Sequence, residues 1–529
     1  MSACGQTLRG GAALRVQLVF ACDMAGQHAE LAHRASLRWR CRNDPDEGHR
    51  PWRRRVIPSP FQFAAPASRL VFRLGLLLAL GFVAAAGQAA AVPGAPRGHS
   101  APLLRLETIP PSPVTERLSL DIRTAVVNRS QAPQNWAVFF YLDHVVRSNE
   151  LHSARLTLEP GTSALVRFRW PALGHAGEHR LLAVARYGGH SVRASQPLHI
   201  IASAARSTGR IEGAWCDIYH WSEKEARFYN PALKRMTDKD WRGLVRAMYE
   251  IGLKVVVLGE AFRNQVYVGQ HLKLPDYRGR AYYPSRLYPG RMPITAKDPF
   301  AAILSEADRL GMHVFMPLGL YAWFDYSPAS LEWHERVASE LWRLYGQHPS
   351  FYGWYVTEET AGNLGANQTR REQIVRFFEK LTPYLHRLAP EKPVMLASNC
   401  HSIREGLAFY PQLLPNLDIL CPFAFDRMPA GDMSGEQAAT LLQQLCDQAG
   451  SHLWMDLEVF HFDPGGALVP RPIDEVLQTL RHYPGFEETL CYEFTGLMSA
   501  PWMPPQVGGL RAVRLYRDYQ RELSIEPPH

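Results

Sequence analysis

The segment Phe351–Glu359, with the sequence FYGWYVTEE, decides the fold class. It is short and apolar, rich in aromatic and β-branched residues, and it ends in two acids, which is typical of a buried strand in a parallel sheet. A second such segment, LWMDLEVF at Leu453–Phe460, carries Asp456 and Glu458 close to its end. Burying a carboxylate is costly unless the group is paired or used. Acids at the ends of two such strands therefore predict a site of chemistry.

Six further segments of this kind lie around these two from residue 211 onward, and amphipathic helical segments alternate with them. The predicted strands are 211–219, 253–260, 312–321, 350–358, 392–399, 418–425, 452–459 and 488–495. The predicted helices are 238–251, 299–310, 330–345, 370–388, 435–449, 473–482 and 508–523. Strands that alternate with helices predict a parallel α/β sheet, and eight strands in this pattern predict a (β/α)8 TIM barrel over residues 206–529.

Residues 102–205 follow a different period. Short segments of alternating polarity, such as RLSLDIRTAVV at Arg117–Val127, are separated by turn residues, and Pro160-Gly161 marks a hairpin. About seven short strands in roughly one hundred residues predict a small, all-β antiparallel sandwich. This layout resembles the immunoglobulin-like modules of bacterial surface and periplasmic proteins. Residues 92–101, rich in proline, glycine and alanine, form the predicted linker before it.

The first 91 residues carry most of the net charge of +8, because they contain twelve arginines and five acids. With the excess charge confined to this leader, we expect no nucleic-acid partner. Arg69 and Arg73 precede the apolar run Leu74–Ala86, and Ala89-Ala90-Ala91 supplies a cleavage site. The run is shorter than the roughly 20 residues of a membrane span. We therefore expect a Sec-type signal peptide ending near Ala91, periplasmic or secreted localisation, and no stable membrane insertion after cleavage.

A signal peptide that begins near residue 70 also predicts that much of residues 1–68 is either not translated, with the true start downstream of Met1, or disordered. Five cysteines follow the leader without C-x-x-C spacing, and we expect buried thiols rather than disulfides or a zinc ribbon. Histidines near strand ends lack HxH and HExxH spacing, which favours no metal site. Walker A, GxGxxG and GxSxG motifs are also absent from the sequence, so the chain is expected to need no cofactor.

In a barrel of this type, catalytic groups come from the C-terminal ends of the strands. The catalytic candidates found there are Glu358, Glu359 and Glu458. The substrate-binding candidates are Asp217, Tyr219, Glu260, Tyr321, Trp323, Asn399, Asp426, Asp456, Tyr492 and Glu493. Acids together with aromatic rings suit a sugar, since carboxylates bind hydroxyls and flat rings pack against the C–H faces of pyranoses.

Strand alternation restricts the roles of the strongest candidates. Trp454, Asp456 and Glu458 share one face of their strand, and this polar set must face the barrel axis. Glu458 at the end of the strand is then the candidate nucleophile, with Asp456 one layer below it. Only one of Glu358 and Glu359 can point inward, and we favour Glu359.

These positions resemble a known arrangement. An acid/base on strand 4 and a nucleophile on strand 7 are found in the retaining glycoside hydrolases of clan A. The motif Gly353–Glu359 and the helix opening DKDW at Asp238–Trp241 resemble a bacterial group of glycosidase-like barrels, domain of unknown function 4434, over roughly 211–500. In this resemblance the conserved glutamate falls at Glu359, while Thr357 stands where proline is common.

The resemblance implies a glycoside hydrolase that cleaves a poly- or oligosaccharide through two glutamates with retention of configuration. Two other functions remain open at this point. One is a non-hydrolytic barrel that binds or helps assemble an exopolysaccharide. The other is a polysaccharide lyase or epimerase that uses tyrosine and histidine as acid and base.

Overall fold

The computed structural model describes residues 104–263, 280–288, 290–319 and 325–525. The predicted leader and the predicted linker lie outside these residues. So do two substrate-binding candidates, Tyr321 and Trp323.

The N-terminal part is a β-sandwich whose two sheets enclose one hydrophobic core. Its strands are β1 (Leu104–Ile109), β2 (Val114–Thr115), β3 (Ser119–Val127), β4 (Gln134–Leu142), β5 (Glu150–Leu158), β6 (Ser163–Pro171), β7 (Gly177–Tyr187) and β8 (His190–Ile201). One sheet has the order β1-β3-β6, and the other has the order β2-β8-β7-β4-β5. Alternate residues of β4 (Trp136, Val138, Phe140 and Leu142) point into the core, as period-2 patterning requires.

A parallel sheet of nine strands, curled into a nearly closed barrel, follows the sandwich. Its strands are β9 (Gly213–Cys216), β10 (Val255–Leu258), β14 (His313–Pro317), β15 (Phe351–Thr360), β16 (Val394–Asn399), β17 (Ile419–Phe423), β18 (His452–Leu453), β19 (Met455–Glu458) and β22 (Thr489–Tyr492). Small loop sheets contain β11 (Phe262–Arg263), β12 (Arg280–Ala281), β13 (Gly290–Arg291), β20 (Phe460–Phe462) and β21 (Leu468–Pro470).

Each of the eight predicted strands corresponds to a strand of this sheet. The seventh is interrupted at Trp454, so that β18 pairs with β17 and β19 pairs with β22. The backbone N–H of Trp454 still donates to the carbonyl of Leu420 on β17, at 3.0 Å. Together with the helices, this arrangement is consistent with the predicted TIM-barrel architecture.

The helices are α1 (Asn230–Leu233), α2 (Asp238–Glu250), α3 (Pro299–Leu310), α4 (Pro328–Tyr345), α5 (Gln368–Leu388), α6 (Ile403–Gly406), α7 (Tyr410–Leu413), α8 (Gly435–Ala449), α9 (Ile473–His482) and α10 (Gly509–Ile525). Local sequence sets their ends. Thr237 and Asp240 form a capping box at the start of α2, and Gly311 ends α3 in the left-handed region at φ +68°. No described helix is long and apolar enough to cross a membrane.

The sandwich packs against the barrel through the outward face of its three-stranded sheet. Ile109 of β1 joins the side chains that fill the barrel interior, and the hydroxyl of Tyr352 donates to the carbonyl of Thr108 at 2.6 Å. Arg123 on β3 forms an ion pair with Asp418, which precedes β17, at 2.5 Å. These partners lie at the N-terminal ends of the barrel strands, so the C-terminal ends remain on the other side.

The five cysteines that follow the leader are all buried and free, as predicted: Cys216, Cys400, Cys421, Cys446 and Cys491. Burial raises the pKa of these thiols, for example that of Cys421 in the barrel interior. A raised pKa keeps a thiol protonated and unreactive. The cysteines therefore contribute to packing.

Candidate active site

The two neighbouring glutamates at the end of β15 have different surroundings. Glu358 is fully buried, and its carboxylate accepts a hydrogen bond from the backbone N–H of Asp325 at 3.3 Å. Glu359 is half-buried, and its charged neighbours include Arg427 and Glu458. The hydroxyl of Tyr326 donates to the carbonyls of both glutamates, at 2.9 and 2.8 Å. These bonds hold the end of the strand in place.

The strand-7 residues alternate as the pattern predicts. Trp454 belongs to the barrel interior, whereas Met455 and Leu457 pack between the sheet and the helices. Asp456 and Glu458 therefore face the axis, and both are buried. Arg427 binds both oxygens of Glu458, with Nε at 2.8 Å from Oε2 and a second, shorter contact to Oε1. A bidentate pair of this kind fixes the orientation of the carboxylate.

Electrostatics link the two strand ends. Burial raises the pKa of Glu359 to about 8, the Glu458 carboxylate adds to this shift, and the Arg427 guanidinium opposes it. Burial also raises the pKa of Asp456 well above its usual range, with Glu458 and Glu359 contributing next. Glu359, Asp456 and Glu458 therefore form one cluster of acids with Arg427 as its cation. Like charges held this close favour the protonated form of some of the acids.

A second group of polar side chains lies where β9 meets β22. The hydroxyl of Tyr492 donates to Oδ2 of Asp217 at 3.2 Å, and the hydroxyl of Tyr229 donates to Oε1 of Glu493 at 2.8 Å. Burial, followed by the charge of Asp217, raises the pKa of Glu493 well above its usual range. This corner can donate and accept hydrogen bonds at the barrel mouth.

Asp217 and Glu493 also approach His220, and one ligand atom from each of the three lies within 4.8 Å of the others. Two carboxylates and an imidazole are a donor set that divalent transition metals accept. Two buried carboxyl groups can instead share a proton. The prediction of no metal site rested on the absence of a local ligand spacing, and that criterion does not detect a cluster assembled from distant strands.

Other candidates lie outside these two groups. Asp426 accepts a hydrogen bond from Thr479 on α9 at 2.6 Å, so it anchors that helix. Asn399 accepts from the backbone N–H groups of Gly362 and His401, at 2.9 and 3.1 Å, and so organises loops. Tyr219 is buried, with its hydroxyl on Glu223 at 2.5 Å, rather than presented as a stacking platform. Glu260 is half-buried directly after β10.

A family described as domain of unknown function (DUF4434) matches residues 211–504, more than half of the chain. The chain belongs to the DUF4434 family. The match spans the strands that carry both groups of polar residues, and it excludes the β-sandwich. No curated protein matches this DUF4434 chain.

Solved structures similar to this DUF4434 protein include several glycosidases. A putative α-L-fucosidase from Bacteroides thetaiotaomicron is 18% identical, with 60% of this chain and 94% of that chain covered and a TM-score of 0.46. Bacteroides uniformis β-glucuronidase 2 is 14% identical (81% and 51% covered, TM-score 0.37), and a putative β-galactosidase from Bacteroides fragilis is 12% identical (81% and 61% covered, TM-score 0.35). This chain thus spans about half the length of the glucuronidase.

Sequence reasoning missed two side chains of the DUF4434 site. Arg427 follows Asp426 just beyond β17, and its position after a predicted strand could have marked it as the cation of the site. Tyr355 lies beneath the acids, and burial followed by the charges of Glu359 and Asp456 raises its pKa well above the usual range. Within the strand it looked like an ordinary core aromatic, so no sequence signal distinguished it.

Proposed function

We propose that this protein is an exported glycoside hydrolase that cleaves a poly- or oligosaccharide by a two-glutamate retaining mechanism in a (β/α)8 barrel. One observation supports this most strongly. Glu359, with its pKa raised to about 8, and Glu458, with its oxygens oriented by Arg427, interact at the same barrel mouth. A protonated carboxyl beside an ionised one is the pair that glycosidic cleavage needs.

In the first step, Glu359 delivers its proton to the oxygen of the leaving sugar as the bond to the anomeric carbon breaks. The Glu458 carboxylate forms a new bond to that carbon, which gives a glycosyl ester and leaves Glu359 ionised. In the second step, Glu359 takes a proton from water. The resulting oxygen attacks the anomeric carbon and releases Glu458, so both groups return to their starting states.

The surrounding residues have supporting roles in this proposal. Arg427 holds Glu458 and stabilises its charge when the ester breaks. The hydroxyl of Tyr492 and the carboxyls of Asp217 and Glu493 form a polar corner of the mouth that could bind sugar hydroxyls. Asp456 lies one layer below Glu458, where its buried carboxyl keeps the floor polar.

Only the leader supports the export part of this proposal. The arginines, apolar run and A-x-A site ending near Ala91 support periplasmic or secreted localisation. The immunoglobulin-like character of the sandwich is also part of the proposal, and the pattern of short strands is what supports it.

The test uses hydrolysis of aryl glycosides and of bacterial and plant polysaccharides. We expect the wild type to release sugar and Glu458→Gln to lose turnover by several orders of magnitude while it stays folded, because glutamine keeps the side-chain volume. Glu359→Ala should slow unactivated substrates far more than aryl glycosides with good leaving groups, which need little protonation.

Glu358→Ala is the matched control, because Glu358 is the neighbouring acid on the same strand and accepts a hydrogen bond from the backbone N–H of Asp325. If Glu358→Ala and not Glu359→Ala shows the selective loss, the acid lies one residue earlier. Full activity of Glu458→Gln would refute the mechanism. A wild type that binds glycans without any hydrolysis would instead support the non-hydrolytic barrel.

A further inference from the structure

The outward face of the five-stranded sheet of the sandwich contains a groove of about 810 Å³ at the ends of β5 and β7 and the starts of β4 and β8. Polar and aromatic side chains line it, including Asn135, Arg155, Thr157, Arg186, Tyr187 and His190. The three-stranded sheet is the one that packs against the barrel. The groove is therefore separate from the barrel mouth.

Strand register places the two arginines of the groove on either side of a small residue. Ala137 on β4 pairs with Arg155 on β5 and with Arg186 on β7. Neighbouring strands are about 4.8 Å apart, so the two arginine backbones lie roughly 10 Å from each other with alanine between them. The small side chain of Ala137 leaves space between the two arginine side chains, which form the two sides of the groove.

Both arginines are exposed, and neither forms an ion pair with the described residues. The guanidinium of Arg186 lies over the ring of Phe139, with Cζ 5.1 Å from the ring centroid, which positions it above the sheet. No acidic residue lines the groove. Two guanidinium groups without a carboxylate partner present a ready site for a planar anion, which arginine binds through two parallel hydrogen bonds.

Aromatic rings lie at the same strand ends. Tyr187 stacks on the buried Trp136 with ring centroids 4.0 Å apart, and His190 lies 5.6 Å from Tyr187. By strand alternation these rings belong to the core-facing side of the sheet, opposite the two arginines. The arginines alone therefore set the preference of the groove, and they fit a sugar that carries a carboxylate better than a neutral one.

The net charges of the sandwich and the barrel also favour binding of an anion to the sandwich. Residues 102–205 contain eleven arginines, no lysine and seven acids, a net charge of +4. Residues 206–529 contain 34 basic and 38 acidic residues, a net charge of −4. A polyanion is therefore attracted to the sandwich and not to the barrel as a whole.

We propose that the groove bounded by Arg155 and Arg186 is a second binding site, specific for an acidic polysaccharide whose uronate carboxylates pair with these arginines. The choice of a carbohydrate rests on the proposed function of the barrel. The site holds the polymer by the sandwich while the barrel mouth acts on a chain end or branch. It lies outside the region matched by DUF4434.

The test is titration calorimetry with polygalacturonate, and with dextran as the neutral polymer and single-stranded poly(dT) as a non-carbohydrate polyanion. Glu458→Gln serves as the background, so that turnover does not contribute heat. We expect binding of polygalacturonate that weakens with salt, about tenfold loss for Arg155→Gln or Arg186→Gln, and about hundredfold loss for the double variant.

The matched control is Arg117→Gln, which removes the same charge from an exposed arginine of the sandwich far from the groove, beside the other end of β8. Equal losses for this control, unchanged binding in the double variant, no binding of polygalacturonate, or equally tight binding of dextran or poly(dT) would each overturn the proposal. In the protein that retains Glu458, the double variant Arg155→Gln/Arg186→Gln should hydrolyse a small aryl glycoside at the wild-type rate. Arginine-dependent binding in a protein without hydrolysis would refute the proposed function and leave the groove assignment standing.

Discussion

Glu358 and Glu359 are neighbours at the end of β15, but their side chains have different surroundings. Strand alternation predicts that only one of them faces the axis, because consecutive side chains point to opposite faces. The structure places Glu359 toward Glu458 and gives Glu358 a backbone partner at Asp325. The position of Arg427 after a predicted strand could have marked it as a cation of the site, but the sequence could not pair it with Glu458, because that contact joins a loop to a strand that follows it in the chain.

The pKa of Glu359 leads to a pH prediction. A general acid acts only while it is protonated, so kcat/KM should fall as the pH rises through about 8, the folded-state value for Glu359. The Arg427 guanidinium lowers this pKa, so Arg427→Gln should move the alkaline limb to higher pH while also reducing the rate. The measurement is the pH profile of kcat/KM for both proteins. If the alkaline limb of Arg427→Gln lies at the same pH as that of the wild type, Glu359 is not the group whose titration sets that limb.

At the scale of elements, the period of apolar residues was sufficient for strands and long helices. The eight barrel strands were predicted because buried parallel strands are short apolar runs. The short helices α6 and α7 were not predicted, since four-residue helices have no amphipathic period to detect. The break of the seventh strand at Trp454 was also missed, because pairing partners and not composition decide where a strand is interrupted.

Gly353 tests the packing of β15, the strand that positions Glu359. A Cβ at this residue would lie 2.5 Å from the ring of Phe315 and 2.8 Å from the carbonyl of Pro393. Gly353→Ala should therefore lower the free energy of unfolding by about 1–3 kcal/mol. Gly485→Ala is the control, because nothing lies within 4 Å of its Cβ position, and it should be nearly neutral. Denaturant unfolding of both variants measures the difference, and equal stabilities would contradict the packing described for β15.

At the scale of the whole molecule, the sandwich and the barrel share one interface of buried charges. Arg123 lies between Asp121, at 2.7 Å, and Asp418, at 2.5 Å, and all three are buried. Burial alone would raise the pKa of Asp418, but the Arg123 guanidinium holds it well below its usual range. Sequence predicted the two parts separately. It could not predict this contact, since nothing in either pattern indicates which sheet faces the barrel.

Arg123→Ala would remove from two buried aspartates the guanidinium that pairs with both of them. We expect a loss of about 3–5 kcal/mol of unfolding free energy, against a nearly neutral effect of Arg117→Ala at an exposed position. Because folding lowers the pKa of Asp418, its contribution to the free energy of unfolding is fully present at pH values above the pKa of the unfolded chain. That contribution is lost as the pH falls through the lower pKa of the folded protein. Thermal and urea unfolding at neutral pH compare the variants. A neutral Arg123→Ala would contradict the interface.

Residues 92–529, expressed without the leader, should give a soluble and folded protein, because the apolar run ends before Ala91. Gel filtration and circular dichroism of this protein in detergent-free buffer provide the measurement. Insolubility of the shortened protein, with the full chain soluble only in detergent, would indicate a membrane anchor instead.

The most direct test of the two-glutamate mechanism is the identity of the residue that becomes glycosylated. Activated 2-deoxy-2-fluoro glycosides of glucose, galactose, fucose and glucuronic acid form long-lived esters with the nucleophile of a retaining enzyme. Peptide mass spectrometry should locate the added sugar on Glu458, with no label in Glu458→Gln and a label retained in Glu358→Ala. A label on Asp456 or Glu493, or hydrolysis by a protein that is never labelled and releases its product with inverted configuration, would contradict the account.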